Sequence, residues 1–260
     1  MNCATMTDRR LECTEDAFLG GRLRLRQLKT GHRAGHDAVL LAAATSARAG
    51  HHVVDFGAGV GAAGLALARR IEGVNLVLVE IDETLAGLAQ ANAAANAIAA
   101  SVIVLDIESG AEAFAAAGLP PDYADAVLMN PPFNDGTRHR ASPDPVRAHA
   151  HVAGDDTLAR WVHAARRILK SGGALTLIWR ADGITEVLAA LDRGFGSLAI
   201  LPVHGEAGVA AIRILIRAVK GGRAPTQILP ALMLNDASGL PNKRIKELLA
   251  GNGVLPLATL

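Results

Sequence analysis

Aromatic residues are scarce: Phe, Trp and Tyr together make up 3% of 260 residues. Since 50% of the chain is hydrophobic, a sizeable core is possible, but it must be built from Ala, Val, Leu and Ile. Cysteine is scarcer still, with only Cys3 and Cys13, both near the N-terminus. Two cysteines so placed supply neither a disulfide framework nor a thiolate metal cluster, and they fit free thiols in a reducing cytoplasm. No uncharged apolar run reaches the ~18 residues that would suggest a transmembrane helix. Residues 1–10 are polar and carry no apolar segment of the signal-peptide kind. A soluble, cytoplasmic protein is expected, with no membrane partner and no metal. Excess charge is also missing, because 26 Lys plus Arg stand against 25 Asp plus Glu, a formal charge of +1. That balance argues against a histone-like wrapper of nucleic acid and leaves room for a local basic face.

What is present is periodicity. The length suits one large α/β domain better than two. Gly21 to Arg26 alternates with period two, predicting a strand with Arg22, Arg24 and Arg26 on one face and Leu23 and Leu25 on the other. Thr30 to Asp37 is rich in turn formers, and Ala38 to Ala44 reads as a helix with Asp37 as its N-cap. From His51 strands and helices alternate. Strands are predicted at His52–Phe56, Asn75–Glu80, Val102–Asp106, Tyr123–Met129 and Ala174–Trp179. Gly57–Gly64 reads as a turn leading into a helix that ends at Arg70, and Glu83–Ala97 and Thr157–Leu169 read as helices. The turn Lys170–Gly173 should precede the fifth of these strands. Continuous apolar runs between helices predict parallel strands covered on both faces. Ser197–Val203 and Ala211–Val219 predict an antiparallel hairpin at the sheet edge, Ile228–Leu234 a further strand, and Asn242–Ala250 a short helix.

Asp55-Phe56-Gly57-Ala58-Gly59-Val60-Gly61 lies between a strand and a helix, where backbone N–H groups can meet a ligand. Gly59, Gly61 and Gly64 also satisfy G-x-G-x-x-G, so the glycines alone do not separate a dinucleotide from S-adenosylmethionine. Glu80, closing the second strand, does not separate them either, since both ligands carry ribose hydroxyls. Asp55 does discriminate: a carboxylate there repels a pyrophosphate and welcomes a cationic amine.

Asn130-Pro131-Pro132-Phe133 ends the fourth strand. An amino nitrogen conjugated to a ring or carbonyl has a delocalised lone pair and attacks a methyl sulfonium poorly while planar. Two acceptors aimed at its N–H hydrogens favour pyramidalisation and hold it in line. The Asn130 side-chain oxygen and the Pro131 carbonyl would form that pair. The prolines fix the backbone, and Phe133 offers a stacking face.

These motifs resemble those of the class I S-adenosylmethionine-dependent methyltransferases. Asp55-x-Gly57-x-Gly59-x-Gly61 is similar to their motif I, Glu80 to their ribose-binding acid, and Asp106, ending the third strand, to the acid that accepts from the adenine amino group. The resemblance implies a Rossmann-like α/β fold, mostly parallel with the antiparallel edge hairpin. It also implies an S-adenosyl-L-methionine site drawn from Asp37, Asp55, Phe56, Gly57, Gly59, Gly61, Glu80, Ile81, Asp106, Ile107 and Asn130. The expected organisation is an entry segment of hairpin and helix (1–50), a cofactor-binding core (51–222) and a C-terminal extension packed on it (223–260). Asn130 to Phe133 resembles the signature of amino-methyltransferases acting on adenine N6, guanine N2, cytosine N4 or glutamine nitrogen.

Arg26 to Leu41, with its Gly35-x-Asp37-x-x-Leu40-Leu41 element, resembles the entry segment of the bacterial valine-tRNA adenine N6-methyltransferases, a likeness covering roughly residues 20–220. The chain departs from that pattern in a longer His/Arg/Pro loop after Phe133 and an extension from about Arg223. The resemblance implies a tRNA substrate. Arg22, Arg24 and Arg26 with Lys29 and Arg33, and Arg138, Arg140 and Arg147 in the loop, are candidate phosphate contacts. His149 and His151 lack partners with metal-ligand spacing, and Lys243 to Glu247 reads as a solvated helix face. Protein glutamine N5- and rRNA guanine N2-methylation remain alternatives, although 50 residues are too few for the helical substrate domain usual in the former. A nicotinamide-dependent oxidoreductase is the alternative from another class, opposed by Asp55.

Overall fold

The computed structural model describes residues 12–30, 33–132 and 157–260. Strands β1 (Cys13–Phe18) and β2 (Leu23–Leu28) form an antiparallel hairpin around a 3-10 turn at Leu19–Gly21. After α1 (His36–Ala44) come β3 (His52–Phe56), α2 (Ala62–Arg70), β4 (Asn75–Glu80), α3 (Glu83–Ala95), β5 (Ala100–Val104) and α4 (Ala111–Ala116). Next are β6 (Ala124–Met129), α5 (Thr157–Ile168), β7 (Leu169–Arg180), α6 (Ile184–Leu191), β8 (Phe195–His204) and β9 (Ala211–Lys220). The chain closes with β10 (Gln227–Ile228), β11 (Leu232–Met233) and α7 (Lys243–Leu249).

Among the described residues the central sheet has nine strands, in the order β10-β8-β9-β7-β6-β3-β4-β5, with β11 also beside β8. β3 to β7 pair in parallel, and β9 lies antiparallel between β7 and β8. The expected α/β class and edge hairpin are therefore present. The order reverses at β3, which has β4 on one side and β6 on the other. Beyond the carboxyl ends of strands at such a reversal lies the crevice in which open α/β sheets bind ligands. Phe56 pairs with Met129, so the glycine turn after β3 and Asn130 after β6 emerge side by side.

The apolar strands are explained by burial on both faces: Val53 and Val54 are both fully buried, yet belong to different cores. One core, under α1 and α2, is aliphatic and takes in Leu23, Leu25, Leu40, Leu65, Leu78 and Leu257. The other, under α5 and α6, holds the buried aromatics Phe56, Phe114, Trp161, Trp179 and Phe195. The scarcity of aromatics is thus met by placing the buried ones on one side of the sheet.

The hairpin carries the expected alternation, with Leu23 and Leu25 buried and Arg22, Arg24 and Arg26 exposed. It docks on α3 through two asparagine side chains one helical turn apart, as residues four apart share a helix face. Asn92 accepts from Arg26 N–H at 2.7 Å and donates to Arg26 O at 3.1 Å and to Val60 O at 2.9 Å. Asn96 accepts from Arg24 N–H at 2.9 Å and donates to Arg24 O at 2.8 Å. Two amides therefore imitate a neighbouring strand. At the other end of the chain, α7 packs on α1, and Leu255 N–H donates to Ala43 O at 2.9 Å.

Several local expectations need correction. Gly35, not Asp37, is the N-cap of α1; Asp37 lies in the first turn, where its carboxylate accepts from Arg213. β5 ends at Val104, so Asp106 lies two residues past the strand in a turn closed by Ser109 N–H on Asp106 O. Lys170 to Gly173 belongs to β7, and the pairing with β6 absorbs it as a register shift between Ala124 and Ala126. The single strand expected at Ile228–Leu234 is two short pieces on either side of Pro230, which has no N–H for a ladder. Cys13 opens β1. Cys3, Phe133, Arg138, Arg140, Arg147, His149 and His151 lie outside the described residues.

Candidate active site

The chain leaves β3 through three glycines in the left-handed region, Gly57 (φ 66°), Gly59 (φ 56°) and Gly61 (φ 86°). The turn is closed by Ala58 N–H on Val79 O at 2.9 Å and Gly61 N–H on Ala58 O at 2.8 Å. The glycines are not equivalent. A Cβ on Gly57 would lie 2.5 Å from the Trp161 ring, and one on Gly64 would lie 2.5 Å from Leu78 Cδ2. A Cβ on Gly59 would meet no atom within 4 Å and would enter the cavity instead.

Asp55 is 2% exposed, and its Oδ2 accepts from Gly64 N–H at 2.8 Å. Burial pushes its carboxyl up to about 7; the Gly64 hydrogen bond opposes that shift and the nearby Glu80 charge adds to it. The Glu80 carboxylate holds the two strand ends together. Its Oε2 accepts from Gly59 N–H at 2.7 Å, and its Oε1 from Ile81 and Asp82 N–H at 2.8 and 3.0 Å. A carboxylate offers about four acceptor positions, so one remains for a ligand. Asp106 Oδ1 accepts from Glu108 N–H at 2.9 Å.

These residues surround two adjoining hollows of about 480 and 130 Å³, which share Gly57, Gly59, Leu85 and Asn130. The larger reaches Glu80, Ile81, Asp106, Ile107, Pro131 and Trp161, and the smaller reaches Asp55, Ala34 and Leu41. The larger has a volume typical of small-molecule sites. Ile81 is 62% exposed although apolar, which marks it as a face awaiting a flat partner. Asn130 Oδ1 is buried with no hydrogen-bond partner among the described residues. Native proteins rarely leave a buried acceptor unpaired; at the junction of two hollows this one is positioned for an incoming N–H. An apolar-walled crevice with one acid at a strand end (Glu80), one in the turn after β5 (Asp106), a buried carboxyl by the glycine turn and an amide oxygen unpaired among the described residues suits an adenosine bearing a cationic amino-acid tail.

Of the expected site residues, Asp55, Gly57, Gly59, Glu80, Ile81, Asp106, Ile107, Asn130, Pro131 and Pro132 line the hollows. Phe56 points into the second core against Phe114, and Gly61 packs against Leu78 and Leu65. Asp37 is turned to Arg213 at 3.0 Å and lies outside the lining. Arg24 pairs with Glu15, Lys29 with Glu12 and Arg33 with Asp16, so β1 neutralises part of the basic face. Arg26 forms no ion pair among the described residues. Sequence reasoning missed Trp161 and Leu85 in the cavity wall. A tryptophan opening an amphipathic helix in an aromatic-poor chain was the available signal for Trp161.

A family model described as methyltransferase small domain matches residues 34–206 of this chain. The tRNA1(Val) (adenine(37)-N6)-methyltransferase of Bacteroides thetaiotaomicron is 26% identical over 220 residues, which cover 84% of each protein. A predicted O-methyltransferase from Agrobacterium tumefaciens, a solved structure, superposes with a TM-score of 0.70 at 30% identity, over 84% of this chain and 98% of its own. The T. thermophilus 16S rRNA N2 methyltransferase in complex with AdoMet and guanosine superposes with a TM-score of 0.56 at 22% identity. It covers 80% of this chain and 50% of its own, a likeness of fold.

Proposed function

The chain belongs to the methyltransferase small domain family, and from that premise we propose that it methylates N6 of an adenine in tRNA with S-adenosylmethionine as donor. The observation that carries the nitrogen specificity is the buried Asn130 Oδ1, without a hydrogen-bond partner among the described residues, at the junction of the two hollows.

Bound in the crevice, the cofactor supplies an electrophilic methyl on a cationic sulfur. Asp55 would hold the amino-acid end; Glu80 would accept from the ribose hydroxyls; Asp106 would accept from the adenine amine; Ile81 and Ile107 would flank the ring. Asn130 Oδ1 and the Pro131 carbonyl accept from the two N–H groups of the target amine, drawing its lone pair out of conjugation and toward the methyl. Pro131 and Pro132 keep those acceptors fixed. Methyl transfer would break the donor's S–C bond as the N–C bond forms, releasing the neutral thioether S-adenosylhomocysteine, and the surplus proton would leave to water, so no dedicated base is needed. Phe133 stacks on the target base.

The tRNA assignment is supported by the relative matched over 84% of both chains and by the exposed face of Arg22, Arg24 and Arg26, with Arg138 and Arg140 as further phosphate contacts. Residues 51–222 form the cofactor core on this reading, with 1–50 as the substrate entry segment and 223–260 as an accessory, in a cytoplasmic enzyme. No described helix is long and apolar enough to cross a membrane. The test is mass spectrometry of nucleosides after incubating the protein with S-adenosylmethionine and unmodified tRNA. N6-methyladenosine supports the reading. Its absence, with methylation of rRNA guanine or a glutamine peptide instead, reassigns the substrate and keeps the chemistry.

A further inference from the structure

The arginine face of β2 does not end with the hairpin. Arg26 and Arg24 are fixed at their backbones by Asn92 and Asn96, one turn apart on α3, so the row runs along that helix toward its C-terminal end. Arg22 is the next outward-facing residue. Its Nη1 donates to Gly251 O at 3.0 Å and its Nη2 to the Asn252 side chain. Both acceptors are neutral, so the guanidinium is held in place with its charge intact.

Asn252 and Gly253 form one wall of a separate hollow of about 470 Å³, and Lys243 and Arg244 on α7 form the other. The inner face of α7 is accounted for by Ile245 and Leu248, which are 2% and 3% exposed. Its outer cations are not accounted for by the fold. The Lys243 side chain is 91% exposed and its one ion pair among the described residues, with Glu247, stretches to 3.9 Å, a contact worth little in water. Arg244 has no ion pair among the described residues. Both stand in the first turn of α7, which contains no acid, where the peptide dipoles disfavour positive side chains.

We propose that the hollow between α7 and Asn252–Gly253 is an RNA-phosphate site that continues the β2 arginine row, so that the C-terminal extension holds the substrate. The inference rests on the RNA reading above and adds a contact surface to it. Its ligand is the sugar-phosphate backbone, since two cations, Lys243 and Arg244, and one acid, Glu247, line the hollow, Arg22 is bonded to the wall residue Asn252, and no aromatic lines the hollow to stack a base. Contacts of this kind position a nucleic acid without reading its sequence.

The experiment compares the full chain with a Lys243→Gln/Arg244→Gln variant, measuring tRNA binding and the KM for tRNA at several salt concentrations. The double variant should raise KM about tenfold. It should also flatten the log–log salt slope by about 1.4, the counterion release of two single-strand phosphate contacts. Lys243→Arg/Arg244→Lys, which keeps both charges, should behave as wild type, and Glu247→Gln should tighten binding. Calorimetry with S-adenosylhomocysteine serves as the folding control. If wild type binds tRNA with a steep salt slope and the double variant matches it in slope and KM, the proposed site is overturned while the RNA reading stands. If wild type itself shows no salt-dependent tRNA binding, the RNA reading fails and this inference with it.

Discussion

Gly64 N–H donates to the Asp55 carboxylate at 2.8 Å, fastening the first turn of α2 to the strand that precedes it. The same carboxyl is raised to about 7 by burial, from an ordinary value of 3.8. A carboxyl whose folded-state value lies above its unfolded value favours folding most at low pH, and that contribution fades as pH rises through the folded value. The stability of the free protein should therefore fall between about pH 4 and pH 7 and level off above that. Binding of a cationic amine has the opposite sign, because it requires the ionised form, so cofactor affinity should rise across that interval. Asp55→Asn should flatten both trends and weaken binding at pH 8. Melting curves and calorimetry at the two pH values are the check; an affinity indifferent to pH in wild type would remove Asp55 from the amine.

Asn130→Ala should lower kcat by roughly 10²–10³, the range seen when a preorganised polar group is lost from a reaction centre. Affinity for S-adenosylhomocysteine should stay within about twofold, since the side chain acts on the target nitrogen. Melting temperature should not fall, because the acceptor removed is buried and has no hydrogen-bond partner among the described residues. Near-normal turnover in single-turnover assays would refute the assignment.

Gly57→Ala and Gly59→Ala should fail in different ways. Both place an L side chain at positive φ, a strain of about 1–2 kcal/mol. At Gly57 the added methyl also collides with Trp161, so the free protein should be the more destabilised. At Gly59 it enters open space, so the larger loss should be in cofactor affinity. Thermal melts paired with calorimetry separate the two; equal effects on both readouts would count against the cavity as the cofactor site.

Asn92→Ala should destabilise the protein by roughly 2–4 kcal/mol, since Arg26 N–H, Arg26 O and Val60 O all lose a partner and unmet buried groups cost about 1–3 kcal/mol each. Asn96→Ala, at a more exposed position, should cost less. Urea unfolding gives the difference, and hydrogen exchange at Arg26 should quicken in the first variant. Unchanged exchange would mean the hairpin is held by its leucines alone.

The strands at 52–56 and 75–80 were readable to the residue, because continuous apolar runs buried on both faces end abruptly at polar or glycine positions. β5 lies at the sheet edge with Val104 51% exposed, so its apolar pattern did not mark its end and the prediction ran two residues long. Asp37 looked like a cap because its partner, Arg213, is 176 residues away, and local rules see only neighbours. Separations of 66 and 72 residues likewise hid Asn92 and Asn96, which bond to the backbone of Arg26 and Arg24 on β2. Asp55, Glu80 and Asn130 were legible because each stands at a strand end, where a parallel sheet presents side chains to the crevice. Trp161 reaches that crevice from a helix packed on the sheet, and helix packing leaves no motif.

The chain has two tryptophans, and both Trp161 and Trp179 sit in the core under α5 and α6. Trp161 alone touches the glycine turn and lines the larger hollow, while Trp179 is 5% exposed within the sheet. The protein thus carries its own optical probe. A ligand entering the crevice changes the polarity at one indole and leaves the other as a constant background, so occupancy can be followed by intrinsic emission with no label attached.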